Sequence, residues 1–92
     1  MTTHIVKSWP EFFEQVKSGN KRFELRKNDR DYKIGDLIRL REWEPYTQVY
    51  SGCELLLRIT HMLEATGPGG IEPYRGLAAG YAILGIEIKN ET

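Results

Sequence analysis

Cys53 is the only cysteine in the chain, so no disulfide can form within it. Cys53 with His4 and His61 lacks the paired spacing of a structural zinc site, and neither a metal nor a cofactor is expected. No apolar run approaches the roughly 20 residues that a membrane-spanning helix needs. The opening Met1-Thr2-Thr3-His4 has no basic-then-apolar pattern of a secretory signal. The expectation from these absences is a cytoplasmic protein. There is also no excess of charge of one sign. Thirteen basic groups balance thirteen acidic ones, which excludes a general polyanion binder. Internal repeats, low-complexity tracts and linkers are absent as well.

What remains is an ordinary folded composition: 92 residues, 40% hydrophobic, 28% charged and 11% aromatic. This fits one domain, residues 1–92, and is too apolar for a disordered chain. A domain of this size buries only about 60% of the surface its unfolded chain exposes, so a single small core is expected. The balanced charge is unevenly spread. Residues 21–41 hold eight basic groups and four acidic ones, a local excess of +4. Such a stretch attracts phosphate or forms a solvated charged hairpin.

Five strands and one main helix are expected. His4–Lys7 is β-prone. Ser8 and Glu11 have the spacing of a capping box, and Pro10 falls in the first turn, where its missing N–H costs nothing. Trp9, Phe12, Phe13 and Val16 follow the i, i+3, i+4, i+7 spacing of one apolar face. A helix over residues 9–18 follows, ending at Gly19, with those four side chains in the core. Residues 22–26 alternate, with Phe23 and Leu25 on one face and Arg22, Glu24 and Arg26 on the other. Residues 27–33 read as a polar loop. Gly35-Asp36 is a turn before a strand over 37–43, in which Ile38, Leu40 and Glu42 share a face. After a connection over 45–52, Cys53, Leu55, Leu57, Ile59, His61 and Leu63 alternate along a long strand. Residues 65–79 read as a Gly/Pro-rich surface loop, and 81–88 as the last strand. The fold class is α+β, a sheet curled into a small barrel, because a flat sheet with one covering helix leaves long bare edges.

The spacing Gly19-x-Lys21-x-x-Glu24-x-Arg26 resembles the signature of the ASCH domain, whose fold is similar to the PUA RNA-binding domain. The preceding helix, the Gly35-Asp36 turn, the strand from Leu37 to Leu40 and a closing strand near Gly80-Tyr81 fall where that family has them. The run from Arg26 to Tyr32, with Leu40-x-Glu42 after it, looks like a branch of small bacterial and phage ASCH-related proteins. The resemblance implies a PUA-like pseudo-barrel with a cleft lined by Lys21, Glu24 and Arg26. It implies binding of RNA or a modified nucleoside. A small bacterial subgroup of that superfamily hydrolyses the amide of N4-acetylcytidine. It uses a Lys matching Lys21, a Thr at the position of Glu24, and a Glu on a downstream helix. Glu24 therefore departs from that pattern, and the 65–79 stretch offers only Glu72 as an acid. This favours a binder over an enzyme; were it an amidohydrolase, Lys21 and Glu24 would carry the reaction.

The residue types suit the binding chemistry. The Lys21 ammonium meets phosphate or a carbonyl. The Arg26 guanidinium is a planar fork for phosphate or for the acceptor edge of a base. The Glu24 carboxylate accepts from an exocyclic amine. Glu42, Trp43 and Tyr81 complete the expected ligand set, the two aromatics by stacking on a base. Arg22, Lys27, Arg30 and Lys33 form the expected basic surface, and Gly19, Gly35 and Asp36 shape the turns. Against this, Glu24 and Arg26 also suit an ion pair with each other or with Glu42 that fixes the curl. Trp43 reads equally as core or rim. His61 and Cys53 read as buried core residues, and Tyr32 and Tyr50 as loop anchors. A third reading is a protein-interaction module working through Ile71, Tyr74 and Leu77 of the 65–79 loop.

Overall fold

The computed structural model describes residues 1–65 and 77–89. Residues 66–76, and with them Ile71, Glu72 and Tyr74 of the expected loop, lie outside the described residues, as do 90–92.

Strand β1 (Thr3–Ser8) buries His4, Val6 and Ser8 and exposes the residues between them, the period-2 alternation of a half-buried strand. Helix α1 (Pro10–Lys17) follows directly. Its first turn carries Pro10 and Glu11 and its last turn Lys17, both charges favourable to the helix dipole. The expected capping box is not formed. Trp9 is the N-cap residue, with extended backbone and no side-chain cap bond. Ser8 is still the last residue of β1, and its hydroxyl donates to the Trp9 carbonyl at 3.4 Å. The helix ends at Gly19, whose φ of +84° is left-handed and whose N–H donates to the Val16 carbonyl at 3.0 Å.

Four further strands complete one sheet: β2 (Phe23–Lys27), β3 (Leu37–Glu44), β4 (Val49–Glu64) and β5 (Tyr81–Ile88). The order is β1-β3-β4-β5-β2, with β1 parallel to β3 and every other pair antiparallel. The sheet curls over a core of Val6, Ile38, Leu40, Leu57, Ile59 and Leu84, closed from one side by Phe13 and Val16 of α1. It is a half-barrel: β1 and β2 are its two ends and do not pair with each other.

Two irregularities in β4 set side-chain direction. Between Arg41↔Glu54 and Trp43↔Tyr50, β3 advances two residues while β4 advances four. Gly52, at φ +93°, lies in that excess, and Cys53 beside it is exposed rather than buried. The second lies between Ile59↔Ile86 and His61↔Gly85, where Thr60 is the extra residue. One inserted residue turns every later side chain to the opposite face. His61 is therefore exposed, and Met62 packs on the core in its place. Tyr50 lies within β4 rather than in a loop.

At the other end of the sheet, Asp36 ties three strands together. Its carboxylate accepts from the Thr2 and Lys33 N–H groups at 3.3 and 3.2 Å and from His4 Nε2 at 2.8 Å, while its carbonyl accepts from Ile59 N–H at 2.9 Å. The bond from His4 holds the Asp36 carboxyl below the ordinary aspartate range. Tyr32 anchors the 28–36 loop as expected. It is buried with its ring 4.6 Å from that of His4, and burial pushes its hydroxyl pKa up.

Candidate binding cleft

β2 is inverted relative to ordinary amphipathic logic. Phe23 and Leu25 are 50% and 54% exposed, while Glu24 between them is 3% exposed. The pairing with β5 explains the direction: Glu24 lies opposite the fully buried Leu84 and points into the half-barrel. A lone carboxylate there is costly, and a buried charge persists only when paired. Two cations supply the pairing. Arg26 donates Nε to Glu24 Oε2 at 3.1 Å, and its Nη2 stands 3.0 Å from the same oxygen as an ion-pair contact. Lys21 Nζ stands 3.6 Å from Glu24 Oε1, an electrostatic contact too long for a hydrogen bond. Glu24 Oε1 is buried and accepts no hydrogen bond at all.

Each cation is positioned by its element. Lys21 follows the α1 C-terminus, where its N–H donates to the Gln15 carbonyl at 3.0 Å. Its ammonium lies 4.8 Å from the Phe12 ring centre and 5.6 Å from that of Phe23. Arg26, on β2, reaches across the open side of the sheet and donates Nη2 to the Lys7 carbonyl on β1 at 3.0 Å. One guanidinium thus holds the buried carboxylate and spans the gap between the two sheet ends.

A cleft of about 670 Å³ occupies that gap, well within the size range of small-molecule sites. Lys21, Glu24 and Arg26 line it together with Trp9, Phe12, Phe23 and Leu25. The expectation that Trp9 and Phe12 belong to the core is corrected here. They are 48% and 41% exposed and form a wall of the cleft, their rings stacked with centres 6.1 Å apart. An eight-residue helix on a small sheet buries only its innermost pair, Phe13 and Val16. The cleft's charged lining is three cations, Lys7, Lys21 and Arg26, against the one carboxylate of Glu24.

The other expected ligand residues are placed elsewhere. Glu42 lies opposite Ser8 in the β1–β3 pairing and takes part in none of the ion pairs among the described residues. Trp43 lies under the Lys7 ammonium, 3.8 Å from ring centre to Nζ, and Tyr81 is exposed opposite Lys27. None of the three lines the cleft. Of the basic surface, Lys27 and Arg30 are exposed, Lys33 pairs with Asp31 at 3.4 Å, and Arg22 donates to the Gly19 carbonyl at 3.2 Å. Gly35, at φ +94°, leads into the buried Asp36. Sequence reasoning missed the aromatic walls and the His4–Asp36 pair. A signal for the walls was present: Phe23 and Leu25 share a strand with charged residues on its other face, and either face can be the outer one.

The family model described as a domain of unknown function, DUF3850, matches residues 3–86. A protein of Escherichia phage P2, described as an uncharacterized 12.9 kDa protein in the GpA 3′ region, is 39% identical over 61 residues, 66% of this chain. The chain spans about half the length, 54%, of that curated relative. The crystal structure of the hypothetical protein PH0355 superposes with a TM-score of 0.60 at 18% identity, over 97% of this chain and 100% of that one, a likeness of fold. Among the described residues no helix is long and apolar enough to cross a membrane.

Proposed function

The chain belongs to the DUF3850 family, and from that starting point we propose that its Lys21–Glu24–Arg26 cleft binds RNA or a nucleobase-bearing ligand. One observation carries the reading: Glu24 Oε1, buried and without a hydrogen bond, stands beside an ammonium in a cleft with aromatic walls. A buried acceptor left unsatisfied costs about 1–3 kcal/mol, and more when it is charged. A ligand N–H that reaches this oxygen removes that cost. The exocyclic amine of a base is such a donor, and its ring buries apolar area against Trp9, Phe12 and Phe23. Three cations against one carboxylate add attraction for phosphate. The curled half-barrel and the Gly19-x-Lys21-x-x-Glu24-x-Arg26 spacing support a PUA-like, ASCH-type assignment within the same proposal.

Titration calorimetry at low salt with the nucleoside 5′-monophosphates and a short single-stranded RNA tests the reading. Wild type is expected to bind. Glu24→Gln and Lys21→Ala, each confirmed folded, are expected to bind at least about tenfold more weakly, the scale of one hydrogen bond to a charged group. Absence of binding by the wild type overturns the proposal. No acetate release is expected from N4-acetylcytidine. Glu24 stands where the hydrolase subgroup carries a hydroxyl, and Arg26 holds its other oxygen.

A further inference from the structure

Beside the cleft, the outer face of β1, β3 and β4 carries a second charged cluster that shares Lys7 with the cleft and adds Arg39 and Arg41, which the proposed function does not use. In the parallel β1–β3 pairing Lys7 lies opposite Arg41. Arg39 Nη1 donates to Glu54 at 3.1 Å and Arg41 Nε stands 3.1 Å from the same carboxylate as an ion pair, which places both guanidiniums on the same face. Trp43 and Tyr50 lie directly opposite each other across β3 and β4. Each ring carries a cation: Lys7 Nζ 3.8 Å from the Trp43 centre, and the Arg41 guanidinium 4.0 Å from that of Tyr50. In this cluster three cations face one carboxylate, and both arginine side chains remain partly exposed, 43% and 36%. A guanidinium has five N–H donors, so a contact to Glu54 leaves each arginine with donors to spare.

We propose that this face is a phosphate track for single-stranded RNA, continuous with the cleft. The inference rests on the cleft reading above and extends it from one nucleotide to a strand. Lys7 is the junction, since it lines the cleft, accepts from Arg26 through its carbonyl and covers Trp43 with its ammonium. A strand with one nucleotide in the cleft leaves over Lys7 and meets Arg41 and Arg39 next. Aromatic rings beneath Lys7 and Arg41 hold two of the cations in place, so less side-chain freedom is lost when phosphate docks. The charge fits a polyanion, although the whole chain is neutral.

Binding of a mixed-sequence RNA octamer and of a nucleoside 5′-monophosphate is compared across a salt titration. Wild type is expected to bind the octamer at least about tenfold more tightly at low salt, because phosphate contacts dominate affinity there. Lys7→Gln and Arg41→Gln are each expected to lower the salt slope for the octamer by about 0.7, one phosphate contact on a single strand. Arg41→Gln is expected to leave monophosphate binding unchanged. Glu54→Gln frees both arginines and is expected to tighten octamer binding, an effect in the direction that misfolding cannot mimic. Equal affinity for octamer and monophosphate, or no change in octamer binding in all three variants, overturns the track and leaves the cleft reading standing. Failure of wild type to bind either probe overturns both.

Discussion

Glu24 and Arg26 show how a surface-type pair becomes the centre of a small protein. Both are charged residues on a short strand, and a solvent-facing pair of this kind contributes little. Here the carboxylate is buried, so its partners are asymmetric in their importance. Arg26→Ala leaves a buried anion with only the more distant Lys21 and cuts the bridge to Lys7. A loss of about 3 kcal/mol in urea unfolding is expected, the scale for stranding a buried charge. Glu24→Gln removes the anion itself and leaves two cations with access to water, so its loss is expected to be smaller. The double variant is expected to be more stable than the sum of the single losses implies, because the stranded charge is gone. Equal, additive losses would show that the pair is not coupled. Asp36 supplies the residue-scale pH dependence. Its folded pKa is below the ordinary 3.8, chiefly through the hydrogen bond from His4. In acid the unfolded chain therefore takes up the proton first, and stability rises with pH across that window. This contribution is complete above about pH 4–5 and is lost as pH falls through the lowered folded value. Asp36→Asn is expected to be less stable than wild type at pH 6, with the gap narrowing toward pH 3 in urea titrations.

At the scale of elements, the two irregularities in β4 decide which side chains meet the core, and the second has a specific space requirement. Gly85 packs against the extra residue Thr60. A Cβ built at Gly85 lies 3.1 Å from Thr60 Oγ1 and 3.3 Å from His61 Cβ. Gly85→Ala is expected to cost about 1–3 kcal/mol, typical of overpacking, and Thr60→Gly in the same background is expected to recover part of it. A neutral Gly85→Ala in thermal unfolding would show that the strand yields freely. The same irregularities explain what was legible in the sequence. Period-2 alternation predicted β2 to β5, although β4 begins at Val49, inside the expected 45–52 connection; β-propensity predicted β1, and the 3.6-residue pattern predicted α1 to within one residue at each end. Side-chain direction failed wherever the period was interrupted. Thr60 turns His61 outward, and the excess around Gly52 leaves Cys53 exposed. Nothing in the alternation of Cys53, Leu55, Leu57, Ile59 and His61 announces an inserted residue, because a bulge is a property of the pair of strands rather than of one. Lys21, Glu24 and Arg26 were legible from their spacing, and they do converge. The aromatic walls were not, because the helical pattern of Trp9 and Phe12 is the same for a core face as for a cleft wall.

For the molecule as a whole, the defining property is the open side of the half-barrel. A fully closed barrel has no free edges, whereas here β1 and β2 end the sheet with the cleft between them. Ile86 N–H donates to the Arg22 carbonyl and Asn28 N–H to the Gly80 carbonyl. With the β2–β5 register, this phase turns the N–H groups of Phe23, Leu25 and Lys27 away from β5. Those amides face the open side, and they sit on the strand that carries Glu24. Among the described residues, the hydrogen bond from the Arg26 side chain to the Lys7 carbonyl joins the two ends across it. A ligand seated in the cleft as proposed would touch both ends and so couple them. At about 100 times its dissociation constant, a ligand specific to the folded state adds about 2.7 kcal/mol to global stability. Hydrogen exchange of the nucleotide-saturated protein is expected to slow at Phe23 and Leu25 and at the β1 end together, by more than in the β3–β4 centre. In Arg26→Ala without ligand, the same amides are expected to exchange faster than those of the core strands. Uniform slowing across the sheet would mean that ligand acts only through global stability. It would assign no closing role to the Arg26 bridge, whereas protection concentrated at both ends would make the cleft the place where the half-barrel is completed.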